Sequence, residues 1–123
     1  MISVDIYGWI ERFTNGSKAK QYNLIIERTK PNELVTSVVV LYEVYKKIKK
    51  VKGEEVALEA VAALNQTEVV PVNQTLALEA ADYSLEHNLH FSDSLVYATA
   101  RKYSAQLYTS DADLKGLKGI TLV

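Results

Sequence analysis

Short apolar runs alternate with longer segments of helical periodicity along the chain, a pattern that predicts an α/β domain. The apolar runs predict five strands, at residues 2–4, 34–36, 69–70, 107–108 and 120–122. The longer segments predict helices at residues 18–28, 39–50, 54–65, 75–87 and 93–103. A further apolar segment follows the first strand, with Trp9, Ile10 and Phe13 on one side, and Asn15-Gly16 interrupts it.

Short strands separated by one or two helices favour right-handed crossovers and a parallel sheet with both faces covered. We therefore expect a three-layer α/β/α sandwich with a mainly parallel five-stranded sheet. The chain has 123 residues, of which 48% are hydrophobic, and only two prolines and five glycines interrupt it. No linker divides it, so residues 1–123 are expected to form one domain.

Acidic residues stand where such a sheet collects functional groups, at the carboxyl ends of strands and the starts of helices. Asp5 follows the first predicted strand, and Asp111 and Asp113 follow the fourth. Asp93 lies in the first turn of a helix, and Glu43 interrupts the apolar stretch "SVVVLYEVYKKI". If the fold brings them to one edge, a shared divalent cation explains them together, because Mg²⁺ and Mn²⁺ prefer hard oxygen ligands.

Each acid also has a purely structural explanation. Asp5 is suited to cap the helix that follows it, and Asp93 to stabilise the dipole of its own helix. Glu43 is spaced to pair with Lys46 or Lys47 along one helix face. The two aspartates after Thr109 are suited to cap the next turn.

Composition excludes several classes of protein. The chain has no cysteine, which rules out disulfides, thiolate nucleophiles and zinc–thiolate sites. The net charge of −1 gives no overall attraction to nucleic acid or to a membrane, so any such binding depends on local patches. The N-terminus lacks the basic and apolar regions of a signal peptide, and no apolar run is long enough to span a membrane. We therefore expect a cytoplasmic protein.

Three stretches of the sequence resemble the motifs of PIN domains, especially those of the VapC toxins of toxin–antitoxin pairs. They are "SVDIYGWIERF", "VLYEVYKKI" and "LHFSDSLVYATARKYSAQLYTSDADLKGLKGITLV", and the resemblance covers nearly the whole chain. It implies an α/β/α sandwich with a parallel sheet and a Mg²⁺- or Mn²⁺-dependent endoribonuclease activity. It also implies an RNA substrate, a cognate antitoxin protein that blocks the cleft, and a homodimer.

The same resemblance implies a set of site residues. The catalytic acids would be Asp5, Glu43, Asp93 and Asp111, with Asp5, Asp93 and Asp111 holding the metal. Asp113 would be a fifth acid, and the hydroxyl of Thr109 would help to order the site. The chain departs from the family in having Ile6 and Tyr7 where a small hydroxyl residue or an asparagine often follows the first aspartate, and Leu114 where an aromatic residue is frequent.

Basic residues near an acidic site are needed to attract RNA. Lys46, Lys47 and Lys50 follow Glu43 directly, and we expect them to contact phosphate, although lysines at a helix C-terminus are also favoured by the helix dipole. For the dimer we expect an apolar surface around Trp9 and Phe13 or in residues 22–26. Two other functions remain open: a different Mg²⁺-dependent phosphoryl-transfer enzyme, and an inactive PIN-like binding module.

Overall fold

The strands and helices of the chain follow the predicted bounds closely. The computed structural model describes all 123 residues, and each predicted element is present within two residues of its predicted ends. In chain order the elements are β1 (Ile2–Val4), α1 (Ile6–Thr14), α2 (Ala19–Glu27), β2 (Val35–Ser37), α3 (Val38–Lys52), α4 (Glu54–Leu64), β3 (Glu68–Val70), α5 (Gln74–His87), α6 (Phe91–Lys102), β4 (Gln106–Thr109) and β5 (Ile120–Leu122). Short 3₁₀ turns cover Pro31–Glu33 and Ala112–Leu114.

Every strand pairing is parallel, as predicted, but the strands do not form one continuous sheet. One sheet has the order β1-β4-β5 and the other contains β2 and β3. A single bridge between Ile2 and Leu34 connects the two sheets. The expected five-stranded sheet is therefore wrong in this detail. β1 therefore meets the second sheet only at Ile2, which lies beside Leu34, the residue just before β2.

Helices cover both faces of the strands. Adjacent residues of a strand point to opposite faces, yet Ser3 and Val4 of β1 are both buried, and so are all three residues of β2. Val35 packs in a cluster with Leu76 of α5 and Leu95 of α6. The larger cluster joins β1 and β4 to α1, α2, α3 and α4 as well as to α6. This double cover is what the parallel pairing requires.

Gly8 allows α1 to lie unusually close to β1 and α2. A Cβ atom at this position would lie 2.5 Å from the ring of Tyr22 and 2.6 Å from Cγ1 of Val4. Tyr22 and Val4 are both fully buried, so neither has room to move away. The glycine therefore fixes the position of α1, which begins at the first candidate site residue.

Several of the residues expected to form an association surface are part of the core. Trp9 is 3% exposed and stacks on Phe13 with ring centroids 6.1 Å apart. Tyr22 and Ile26 are buried in the same cluster. Trp9, Tyr22 and Ile26 are therefore covered within the chain, whereas Leu24 of the same segment is 45% exposed, and the predicted dimer surface stays a prediction. None of the helices has the length and apolar character needed to cross a membrane.

Candidate functional site

The carboxylate of Asp5 is held at both oxygens where β1 ends and α1 begins. The parallel register pairs Val4 with Tyr108, so the residues that follow, Asp5 and Thr109, lie at neighbouring strand ends. Oδ1 of Asp5 accepts a hydrogen bond from the backbone N–H of Ile6 at 2.7 Å, which caps α1. Oδ2 accepts one from the Thr109 hydroxyl, also at 2.7 Å. The predicted helix-capping role of Asp5 is thus present, and it coexists with a fixed position at the strand ends.

Thr109 connects Asp5 to the second acid of this edge. Its hydroxyl oxygen accepts a hydrogen bond from the backbone N–H of Asp111 at 3.0 Å. Oδ1 of Asp111 in turn accepts one from the backbone N–H of Asp113 at 2.9 Å and caps the 3₁₀ turn. The side chain of Asp113 is exposed and lies outside the cleft that the other aspartates line. The predicted turn-capping role is therefore present for Asp111.

A cleft of about 510 Å³ brings Asp5, Asp93 and Asp111 together. Asp93 enters it from the first turn of α6, which β4 packs against. The remaining lining residues are Ile6, Tyr7, Ile10, Lys18 and Ser110. Three of the predicted acids therefore meet at the carboxyl ends of β1 and β4, where ligands usually bind in parallel α/β proteins.

The electrostatics of the cleft disfavour three negative charges. Burial raises the pKa of Asp5, the hydrogen bonds from Thr109 and Ile6 counteract this rise, and the charge of Asp111 adds to it. Burial raises the pKa of Asp93 to about 6, together with the charges of Asp5 and Asp111 and a hydrogen bond to Asp111, while nearby His90 lowers it. The metal-free cleft thus stores like-charge repulsion, which a bound cation would relieve.

The acids converge on the cleft without forming a finished coordination sphere. No group of three or more His, Cys, Asp or Glu side chains lies close enough together to hold a metal ion. The donors that face the cleft are nevertheless all oxygen, from three carboxylates and the Ser110 hydroxyl. This donor chemistry fits a hard divalent cation, and ligation would require the side chains to draw together.

Glu43 does not line the same cleft. It is half-buried on α3 and borders a separate depression of about 150 Å³ together with Lys46, Lys47 and Lys50. The three lysines are exposed, and none of them forms an ion pair with Glu43. The structure therefore shows neither the predicted helix-surface pairing nor a meeting of Glu43 with the three aspartates.

Two polar residues of the cleft were not identified from the sequence. Ser110 hydrogen-bonds the hydroxyl of Tyr22 at 2.6 Å, and burial raises the pKa of that tyrosine to about 12, so its proton stays in place at neutral pH. Lys18 donates a hydrogen bond to the carbonyl oxygen of Val123 at 2.8 Å. In the sequence, the only feature that could have indicated Ser110 is its position between Thr109 and Asp111. Lys18 reaches the cleft through the turn between α1 and α2; the sequence predicts that turn at Asn15-Gly16 but does not show that it brings Lys18 to the acids.

A parallel α/β domain with acids gathered at the ends of neighbouring strands defines the class of this protein. The profile of the PIN domain matches residues 8–120, so the chain belongs to the PIN domain family. The match confirms the resemblance found in the three motifs.

Solved structures share this fold. A toxin–antitoxin complex from Klebsiella pneumoniae has a TM-score of 0.83 at 24% identity, covering 98% of this chain and 96% of that chain. The VapC20 toxin of Mycobacterium tuberculosis, which cleaves the sarcin–ricin loop, has a TM-score of 0.77 at 21% identity, covering 94% and 92%. VapBC2 from Rickettsia felis, bound to a DNA fragment from its promoter, has a TM-score of 0.73 at 16% identity, covering 100% and 98%. No curated protein sequence matches the chain significantly.

Proposed function

We propose that the chain is a metal-dependent endoribonuclease and the toxin of a VapBC-type toxin–antitoxin pair, acting on cytoplasmic RNA. The observation that carries the proposal is the cleft in which Asp5, Asp93 and Asp111 meet at the strand ends. Membership of the PIN domain family supports a nuclease. Similar folds in a toxin that cleaves the sarcin–ricin loop and in toxin–antitoxin complexes support the narrower assignment.

In this proposal Asp5, Asp93 and Asp111 hold Mg²⁺ or Mn²⁺ through oxygen ligands, which both ions prefer. When bound, such an ion would supply an activated water and would neutralise phosphate charge. The hydrogen bonds from Thr109 and Ile6 keep the Asp5 carboxylate in a fixed orientation. The Asp93 carboxyl, whose pKa is about 6, is mostly ionised at neutral pH and would offer its oxygens to the cation without first losing a proton.

The other predicted residues have peripheral roles in the proposal. Glu43 lies on a separate depression and would take part in catalysis only through ordered water. Lys46, Lys47 and Lys50 border the same depression and would contact the phosphates of an RNA chain that extends from the cleft. Asp113, with its exposed side chain, supports the turn that positions Asp111.

The proposal predicts that the purified protein cleaves RNA in Mg²⁺ or Mn²⁺ and stops when a chelator is added. Asp5→Asn should remove the activity, because it deletes a charge that no other residue of the cleft replaces. The measurement is gel analysis of labelled RNA, and Asp82→Asn, a change at an exposed acid of α5, serves as the matched control. Cleavage that persists in chelator and in Asp5→Asn would disprove this function. RNA binding without any cleavage would favour the inactive binding module.

A partner antitoxin follows from the same proposal. The similar structures from Klebsiella pneumoniae and Rickettsia felis are complexes of a toxin with its antitoxin. We propose that this chain also binds an antitoxin protein and that the complex is inactive. A short reading frame with a DNA-binding N-terminus next to the gene would identify that partner.

We also predict a homodimer, with a different surface from the one expected from the sequence. Leu85 is 85% exposed and Phe91 is 79% exposed, and both border an apolar groove between α5 and α6. Contiguous exposed apolar surface of this kind commonly marks a protein contact. Light scattering at tens of micromolar should give a dimer mass for the wild type and a monomer mass for Leu85→Glu combined with Phe91→Ser. A monomeric wild type would contradict the prediction.

A further inference from the structure

Tyr7 places an exposed aromatic ring on the wall of the acidic cleft. The residue is 43% exposed and lines the cleft together with Asp5 and Asp93. On its buried side the ring meets Tyr22 edge-on, with centroids 6.3 Å apart and an interplanar angle of 69°. Tyr22 is fully buried and therefore gives the ring a fixed support. An exposed, supported aromatic ring is the surface on which single-stranded nucleic acids stack their bases.

Lys18 is the only basic residue that lines the cleft. Its ammonium group donates a hydrogen bond to the carbonyl oxygen of Val123, which keeps it at the cleft rather than in solvent. The ammonium group has three donors, and this bond uses one of them. Two donors remain for an anionic ligand that enters a cleft otherwise lined by carboxylates.

One buried carboxylate fixes the positions of both residues. Glu11 is 8% exposed, and its Oε1 accepts hydrogen bonds from the hydroxyl of Tyr7 at 3.1 Å and from the backbone N–H of Lys18 at 2.7 Å. The turn between α1 and α2 is shaped around this carboxylate, because a Cβ atom at Gly16 would collide with it. The ring and the ammonium group are therefore arranged before any ligand binds, which lowers the entropy that binding must overcome.

We propose that Tyr7 and Lys18 form a nucleotide subsite, in which the ring stacks on an unpaired base beside the scissile phosphate and the ammonium group binds the adjoining phosphate. The inference rests on the proposed ribonuclease function and narrows its substrate to RNA that is unpaired at the cleavage site. A base held in a duplex cannot leave its neighbours to stack on Tyr7 without losing its own stacking. The subsite also occupies the position at which the sequence departs from the PIN pattern, since Tyr7 replaces the usual small polar residue.

Stacking is tested by measuring the affinity for a short fluorescent single-stranded RNA, using the full chain with Asp93→Asn as a parent that does not degrade the probe. Tyr7→Ala should weaken binding by about five- to hundredfold, the range of a lost base–aromatic stack. Tyr7→Phe keeps the ring and loses only the hydrogen bond to Glu11, so it should retain most of the affinity that Tyr7→Ala loses. A series of probes is then made in which each probe lacks the base at one position. For the probe that lacks the stacked base, Tyr7→Ala should not weaken binding any further. Thermal melts establish that each variant is folded.

The phosphate contact is tested by the salt dependence of the same affinity. Lys18→Met should lower the slope of log Kd against log salt by about 0.7, the value for one phosphate contact to a single strand. Lys20→Met, a change at an exposed lysine in the first turn of α2, should leave the slope unchanged. In the active chain, Lys18→Met and Tyr7→Ala should raise KM more than they lower kcat.

The outcomes separate this inference from the proposed function. If the wild type cleaves RNA while Tyr7→Ala and Lys18→Met bind and cleave as it does, the subsite is wrong and the ribonuclease assignment stands. If the variants lose affinity as expected but the wild type never cleaves, the subsite stands and the catalytic assignment fails. If the parent binds no RNA and the wild type cleaves none, both are wrong. If Tyr7→Ala weakened the binding of duplex and single-stranded probes equally, the stacking role would also be wrong.

Discussion

Asp93→Asn should abolish RNA cleavage and at the same time stabilise the metal-free protein at neutral pH. The two effects share one cause. The folded state holds the Asp93 carboxyl against Asp5 and Asp111, and burial together with these charges raises its pKa to about 6. In an unfolded chain the same carboxyl titrates near 3.8. Above pH 6 the folded state therefore carries an ionised group that it disfavours, and the neutral amide removes that penalty.

The direction of the pKa shift sets the pH range in which Asp93→Asn stabilises the metal-free protein. The penalty is fully present above pH 6 and disappears below pH 3.8, where the carboxyl is protonated in both states. The gain in melting temperature of Asp93→Asn should therefore be present at pH 7 and vanish near pH 3.8. Asp93 is only partly buried, so solvent screening keeps the gain to a few degrees. A plain helix-dipole role predicts the opposite, a loss of stability at pH 7.

Adding a metal ion provides a second test of the role of Asp93. A cation that binds only the folded state stabilises it by about 2.7 kcal/mol when its free concentration is about a hundredfold above Kd. Mn²⁺ should raise the melting temperature of the wild type clearly and that of Asp93→Asn much less. Asp82→Asn, a change outside the cleft, should respond as the wild type does. If Mn²⁺ leaves the wild-type midpoint unchanged, the aspartates are turn and cap residues and the metal site is wrong.

The sequence predicts the elements of this fold well because its signals are local. Apolar runs and helical periodicity depend only on neighbouring residues, and they place every strand and five of the six helices. The same holds for Asp5 and Asp111, since the end of a buried strand is visible in the sequence. Parallel pairing then brings the two together through the register between β1 and β4.

The features that the sequence does not predict depend on tertiary contacts. Nothing in the pattern indicates that the two sheets meet only at the bridge between Ile2 and Leu34, because strand length does not specify how far two strands stay in contact. Tryptophan is a residue type that is common in protein interfaces. Only the packing of α1 within the chain shows that Trp9 is buried. Tyr7 and Lys18 are eleven positions apart in the sequence, and they are joined through Glu11.

Thr109→Val should reduce both stability and cleavage, because one hydroxyl serves two acids. Thr109 is fully buried, and its Oγ1 donates to Oδ2 of Asp5 while accepting from the backbone N–H of Asp111. Valine fills nearly the same volume but provides neither bond. A buried carboxylate oxygen and a backbone N–H then lose their partners, which should lower the free energy of unfolding by about 1–3 kcal/mol at neutral pH. Losing the support of a metal ligand should also lower activity by about 10- to 100-fold.

The pH dependence distinguishes this role of Thr109 from simple packing. The hydroxyl stabilises the ionised form of Asp5 and so opposes the rise in its pKa that burial causes. The cost of Thr109→Val should therefore be largest where Asp5 is ionised and shrink as the pH falls through the pKa of Asp5. Urea denaturation at a series of pH values measures this cost. Thr109→Ser keeps the hydroxyl and loses only a methyl group, so it should lose some stability at every pH but retain cleavage. If serine and valine reduce cleavage equally, the hydroxyl does not order the acids, and Thr109 serves only to fill the core between β1 and β4.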